Sequence, residues 1–138
     1  MTLAFDFNRR AAIHPFQAAV LAGAFPLFLG TLLADWAYYK SFQVEWSNFA
    51  SWLVIGAMVF ATIALLCAAV DLFRGRGGVA YALVLAATWL LGLFDALRHA
   101  RDAWAIMPGV LLQSSLATAL SLLALWIGFS TLRVGGAP

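Results

Sequence analysis

Apolar residues in this chain fall into four long, nearly unbroken runs, and short stretches between them hold almost all the polar groups. The runs cover about 13–34, 49–70, 79–96 and 105–132, each near the roughly 20 residues that cross about 30 Å of hydrocarbon as a helix. No strand-like alternation competes with this reading, and a backbone in lipid has to satisfy its own hydrogen bonds. The pattern predicts an all-α integral membrane protein. It reads as a four-helix up-down-up-down bundle forming a single transmembrane domain over the whole chain. The first eight residues, with Phe5 and Phe7 around Asp6, read as an interfacial lead-in. The first span is too long, and lacks the cleavage site, for a removable signal.

Composition agrees. The chain has 138 residues, of which 64% are hydrophobic and 10% charged, and its mean hydropathy is +0.93. Soluble domains run closer to about 45–50% apolar and 25% charged. One cysteine excludes an internal disulfide framework.

The few charges set an orientation. Arg9, Arg10, Arg74, Arg76 and Arg133 fall on one side of the spans, and Lys40, Arg98 and Arg101 on the other. Basic residues favour the cytoplasm, so both termini are expected there, in a bacterial inner membrane. The basic balance is thus a topology signal, and no nucleic-acid footprint accompanies it. The stretch from about Trp36 to Asn48 reads as the longest loop, on the periplasmic side, since tryptophan and tyrosine favour the headgroup level. Trp36, Tyr38, Tyr39, Trp46 and, after the third helix, Trp104 are its candidate partner-facing residues.

Small residues mark packing faces. Ala57, Ala61, Ala64 and Ala68 recur at spacings of four and three in the second helix. Gly23 and Gly30 flank Pro26 in the first, where the proline is expected to kink the helix. Ser114, Thr118 and Ser121 share a face of the fourth. Cys67 reads as a small buried hydrophobe. A faint internal repeat is visible, because Gly30, Asp35 and Trp46 are echoed by Gly92, Asp95 and Trp104.

Ionisable residues beside the spans form two layers. The inner layer holds His14, Gln17, Asp71 and Arg74, with Arg133. There His14 is expected to meet Asp71, with a His–Asp or Arg–Asp structural tie as one reading and a metal, haem or proton-switch site as the other. The outer layer holds Asp35, Asp95, Arg98, His99, Arg101 and Asp102. The spacings of Asp95 to Arg98 and His99, and of Arg98 to Asp102, describe a solvated, salt-bridged helix end. Asp35 closes an apolar run at the same depth, and is expected to pair with Arg98 or His99. A proton relay or a quinol headgroup site is the sharper alternative.

His14 and His99 are the cofactor-binding candidates, for haem b or quinone, but not together on one haem. His14 opens the first helix and His99 closes the third, and these helices run in the same direction. The 1.5 Å rise per residue puts about 30 Å between the two histidines. No motif for covalent haem, phosphate cradling or nucleophilic catalysis occurs, nor a Cys/His metal spacing. No catalytic or metal-ligating residue is therefore assigned.

Several strings resemble one family, the bacterial four-helix membrane proteins catalogued as domain of unknown function 2231. They are His14-Pro15, Phe25-Pro26 with Asp35, the string from Glu45 to Leu53 (EWSNFASWL), Asp71, and the string from His99 to Trp104 (HARDAW). The resemblance implies the same fold and membrane placement. Its members' company implies a partner such as a periplasmic quinoprotein dehydrogenase or a cytochrome. Some relatives carry a second histidine where this chain has Gln17. Three functions follow in order of preference. The first is a non-catalytic subunit anchoring or docking a periplasmic dehydrogenase or respiratory complex. The second is a haem- or quinone-binding redox protein, and the third a proton-linked transporter using Asp35 and Asp71.

Overall fold

The computed structural model describes residues 12–135, with side chains through Leu132. The lead-in, Arg9 and Arg10, and the Arg133 side chain lie outside the described residues. Four helices follow one another: α1 (Pro15–Ser41), α2 (Val44–Phe73), α3 (Val79–His99) and α4 (Gly109–Gly135). All four are long and apolar enough to cross a membrane. Each packs on two neighbours, so that α1, α2, α3 and α4 close a ring with α1 and α3 on one diagonal.

Local chemistry explains most boundaries. Pro15 begins α1, where a missing N–H costs nothing, and the His14 ring Nδ1 accepts the Phe16 N–H at 3.1 Å. Gly75, at φ +71°, turns the chain out of α2. The Arg76 and Gly77 amides both donate to the Asp71 carbonyl, at 2.9 and 3.0 Å. Helix α1 runs through Pro26 without interruption.

Two expectations are corrected. The stretch from Trp36 to Asn48 is not a loop, since α1 continues to Ser41 and α2 begins at Val44. Hydropathy reports where a helix leaves the apolar layer, not where it ends, and no glycine or proline interrupts this stretch. Phe42 and Gln43 make the turn, Phe42 in the left-handed region at φ 58° with its N–H donating to the Tyr38 carbonyl. Helix α4 begins at Gly109 rather than near Ala105, because turns occupy the residues up to Pro108. Proline favours the start of a helix over its interior.

In each helix one line of buried positions alternates spacings of three and four residues, with Ala18, Val20, Ala34 and Thr118 buried beside it. In α1 the buried series is Gln17, Leu21, Ala24, Phe28, Thr31, Asp35 and Tyr38. In α2 it is Ser47, Ala50, Val54, Ala57, Ala61, Ala64 and Ala68. In α3 it is Tyr81, Leu85, Thr88, Gly92 and Asp95. In α4 it is Val110, Ser114, Ala117, Ser121, Ala124, Gly128 and Thr131. This is the 3.5-residue repeat of left-handed helix packing. The alanines of α2 let it approach closely, and Phe28 fills the middle of the bundle opposite Gly92. Buried hydroxyls in the middle donate to backbone carbonyls: Thr31 to Leu27, Thr88 to Val84, Thr118 to Ser114 and Phe28, Ser121 to Thr118.

Candidate functional site: a buried acid–histidine cluster

The α1, α3 and α4 series converge on one polar layer. Asp35 and Asp95 are both 0% exposed, and Ser114 is 1% exposed. The His99 side chain is likewise 1% exposed. Asp35 reaches across the diagonal of the bundle, and its Oδ1 lies 2.8 Å from His99 Nε2. Ser114 Oγ donates to Asp35 Oδ2 at 2.5 Å and lies 3.2 Å from Asp95 Oδ2. His99 Nδ1 lies 2.8 Å from the backbone carbonyl of Asp95 and 3.5 Å from its Oδ1.

These contacts settle the histidine tautomer. A carbonyl oxygen only accepts, so Nδ1 carries hydrogen and donates to Asp95. One proton is then held between Nε2 and Asp35, on the nitrogen or on the oxygen. Both ring nitrogens are engaged. A haem iron would need Nε2, with a porphyrin-sized space before it, where Asp35 now sits. Among the described residues no lysine or arginine is salt-bridged to either aspartate.

The structure therefore brings together Asp35, Asp95 and His99 of the expected outer layer, and adds Ser114. Three expectations about this layer are corrected. Asp95 is not at a solvated end, because it continues the interior series of α3. Arg98 lies off that face and is exposed, its guanidinium folding over the start of α4 beside Gly109. Helix α3 ends at His99, so Arg98 and Asp102 are not helical neighbours, and the Asp102 carboxylate instead accepts the Trp104 N–H at 3.3 Å. The aromatic residues divide. Trp36, Tyr39, Trp46 and Trp104 are exposed, but Tyr38 is 6% exposed and continues the α1 core, which removes it from any partner-facing set.

The other polar layer is looser. His14 is exposed and spends Nδ1 on the helix cap, and no hydrogen bond joins it to Asp71 among the described residues. Among the described residues neither His14 nor an arginine makes the expected tie to Asp71; His14, Asp71, Arg76 and Tyr81 border a cavity of about 350 Å³. Arg74 lies exposed near it, beside a second hollow that His14 and Gln17 also line. His14 and His99 stand at opposite ends of the bundle, at the start of α1 and the end of α3. Gln17 is buried, and its amide donates to the Tyr81 hydroxyl at 3.1 Å, while its Oε1 has no partner among the described residues. Tyr81→Phe is expected to cost about 1–2 kcal/mol by stranding that amide. Adding Gln17→Met should recover much of the loss, because both polar groups are then gone. Thermal melts of the single and double variants in one detergent check this; a double variant less stable than Tyr81→Phe would contradict it.

Between the two layers the axis is closed by Phe28, Ala57, Ala61 and Ala117. The intervening hydroxyls are spent on carbonyls, so the described residues form no polar path from one end to the other. Transport sites usually lie near the midplane at broken helices, which this bundle lacks.

No family model, curated protein or solved structure matches the chain.

Proposed function

We propose that this multi-pass membrane protein is a non-catalytic subunit that docks a periplasmic dehydrogenase or another respiratory electron-transfer protein. The docking end is the one that carries the acid–histidine cluster. One observation supports this reading above the others: that end presents an exposed aromatic surface on a rigid base. Phe42, at the α1–α2 turn, meets Trp104, in the α3–α4 turn, with ring centroids 5.3 Å apart. Trp36 and Trp46 stand exposed beside them, and the Lys40 ammonium lies 5.3 Å from the Trp36 ring. Exposed tryptophan and tyrosine, with Arg98 and Arg101 exposed at the same end, match the residue types of binding hot spots. The excess of arginine at the opposite end supports cytoplasmic termini in a bacterial inner membrane. Haem binding through His99 has less support, because Asp35 occupies its Nε2 side. Proton-linked transport through Asp35 and Asp71 has less support too, because the apolar middle separates them.

Site-specific photo-crosslinking in native membranes tests the reading. A crosslinker in place of Phe42 or Trp104 is expected to capture the same protein partner. One in place of Trp126, exposed on α4 away from that end, is expected to capture only lipid. Lipid adducts alone at all three positions would overturn the docking role.

A further inference from the structure

We propose that Asp35, Asp95 and His99 form a binding site for one divalent transition-metal ion of the zinc class, inside the bundle where α3 ends. The site stands on its own geometry and does not depend on the docking role.

The ligand set is the first reason. Two carboxylates and one imidazole each offer a donor atom, these atoms lie within 4.8 Å of one another, and all three residues are buried. Metal bonds of about 2.0–2.2 Å to nitrogen and oxygen bridge such a gap after a small carboxylate rotation. A mixed imidazole and carboxylate set suits zinc, iron or manganese better than the all-oxygen shells of calcium and magnesium.

The second reason is the orientation of His99. Its Nδ1–H is held by the Asp95 carbonyl at 2.8 Å, which leaves Nε2 facing the Asp35 carboxylate, with the Asp95 carboxylate close by, 3.5 Å from Nδ1 and 3.2 Å from the Ser114 hydroxyl. Histidines that bind metal are held in this way, with the other ring N–H given to a carbonyl or carboxylate. Ser114 does the corresponding work for the acids, donating to Asp35 and touching Asp95. Its hydroxyl, or a water, would supply a fourth ligand.

Charge is the third reason. Two carboxylates against one imidazole leave a buried excess of acid that no lysine or arginine salt-bridges among the described residues. The Arg98 guanidinium lies beside Gly109, near enough to act on Asp95 through space but not bridged to it. α2 brings only Ser47, Ala50 and Val54 to this end of the interior. A divalent ion with two carboxylates and a neutral imidazole is electrically neutral. On binding, the proton between Asp35 and Nε2 leaves to solvent, and the ion takes its place. A bare ion fits there, where a porphyrin does not.

The test uses the full chain in detergent, stripped with a chelator and titrated with zinc chloride. One zinc per chain is expected by elemental analysis, with a melting temperature that rises with zinc concentration. X-ray absorption at the zinc edge should show one imidazole nitrogen and two or three oxygens, without sulfur. His99→Gln should weaken binding more than about 100-fold, beyond what losing a ligand's hydrogen-bond partner costs. His14→Gln and Cys67→Ser should leave it unchanged. No zinc retained, a sulfur neighbour, or loss of binding in His14→Gln would each overturn the site. The absorption measurement needs no variant, so the test holds even where an Asp35 or Asp95 variant does not fold.

Discussion

Asp35→Ala is expected to destabilise the protein by about 3–5 kcal/mol, the cost of removing one partner from a buried charged pair. Alanine would leave His99 Nε2 and the Ser114 hydroxyl facing each other across a void, in a layer whose side chains are almost wholly buried. Glu45→Ala, one residue into α2 and exposed, is expected to change stability by less than about 0.5 kcal/mol. Asp35→Asn should fall between them. Its amide can still accept from Ser114, but it must turn an N–H toward either His99 or the hydroxyl. Thermal or denaturant unfolding of the three variants in one detergent measures the order. Equal stabilities for Asp35→Ala and Glu45→Ala would show that the cluster contributes nothing to the fold.

Phe28→Ala is expected to cost a similar amount, about 3–5 kcal/mol, by opening a cavity in the middle of the bundle. Phe28 is 1% exposed, and its ring lies against α3 where Gly92 leaves room. A Cβ on Gly92 would stand 3.0 Å from two Phe28 ring carbons and 2.5 Å from Met58 Sδ. Gly92→Ala alone is therefore an overpacking change of about 1–3 kcal/mol. In a Phe28→Ala background the same methyl enters the vacated space. The double variant should be more stable than the sum of the two losses implies, by about 1 kcal/mol or more, as expected of residues in contact. Strict additivity would show that Phe28 and Gly92 do not share that space.

The four helices were legible because apolar length is a direct physical requirement of crossing lipid. The depth of Asp35 and its pairing at the level of Arg98 and His99 followed from the same counting. Choosing between those two needed the helix phase. His99 lies four residues after Asp95 and so on the interior face, whereas Arg98 is one residue off it. That phase is written in the alternation of Tyr81, Leu85, Thr88, Gly92 and Asp95, and it marks Asp95 as buried. Charge spacing along α3 pointed the other way, because Asp95, Arg98 and Asp102 mimic a solvated helix end. Ser114 carried a packing signal only; its role arises because α4 closes the ring beside α1 and α3. Asp35 and His99 lie 64 residues apart, and no local spacing announces ligands joined by topology. The faint repeat that pairs Asp35 with Asp95 acquires a meaning in the fold: parallel helices deliver both acids to one layer.

The unequal helix lengths bear on how the protein sits in its bilayer. Helix α3 has 21 residues and α2 has 30, or about 31 and 45 Å at 1.5 Å per residue. A bilayer matched to α3 does not hold the full length of α2, whose first turn, with Glu45 and Ser47, lies outside its apolar run. The α1–α2 hairpin must then tilt or stand clear of the acyl chains, while lipid beside α3 thins or keeps its ordinary thickness. This inequality of length is one-sided, and it makes bilayer thickness a variable to which the layer at the end of α3, the shortest helix, is exposed.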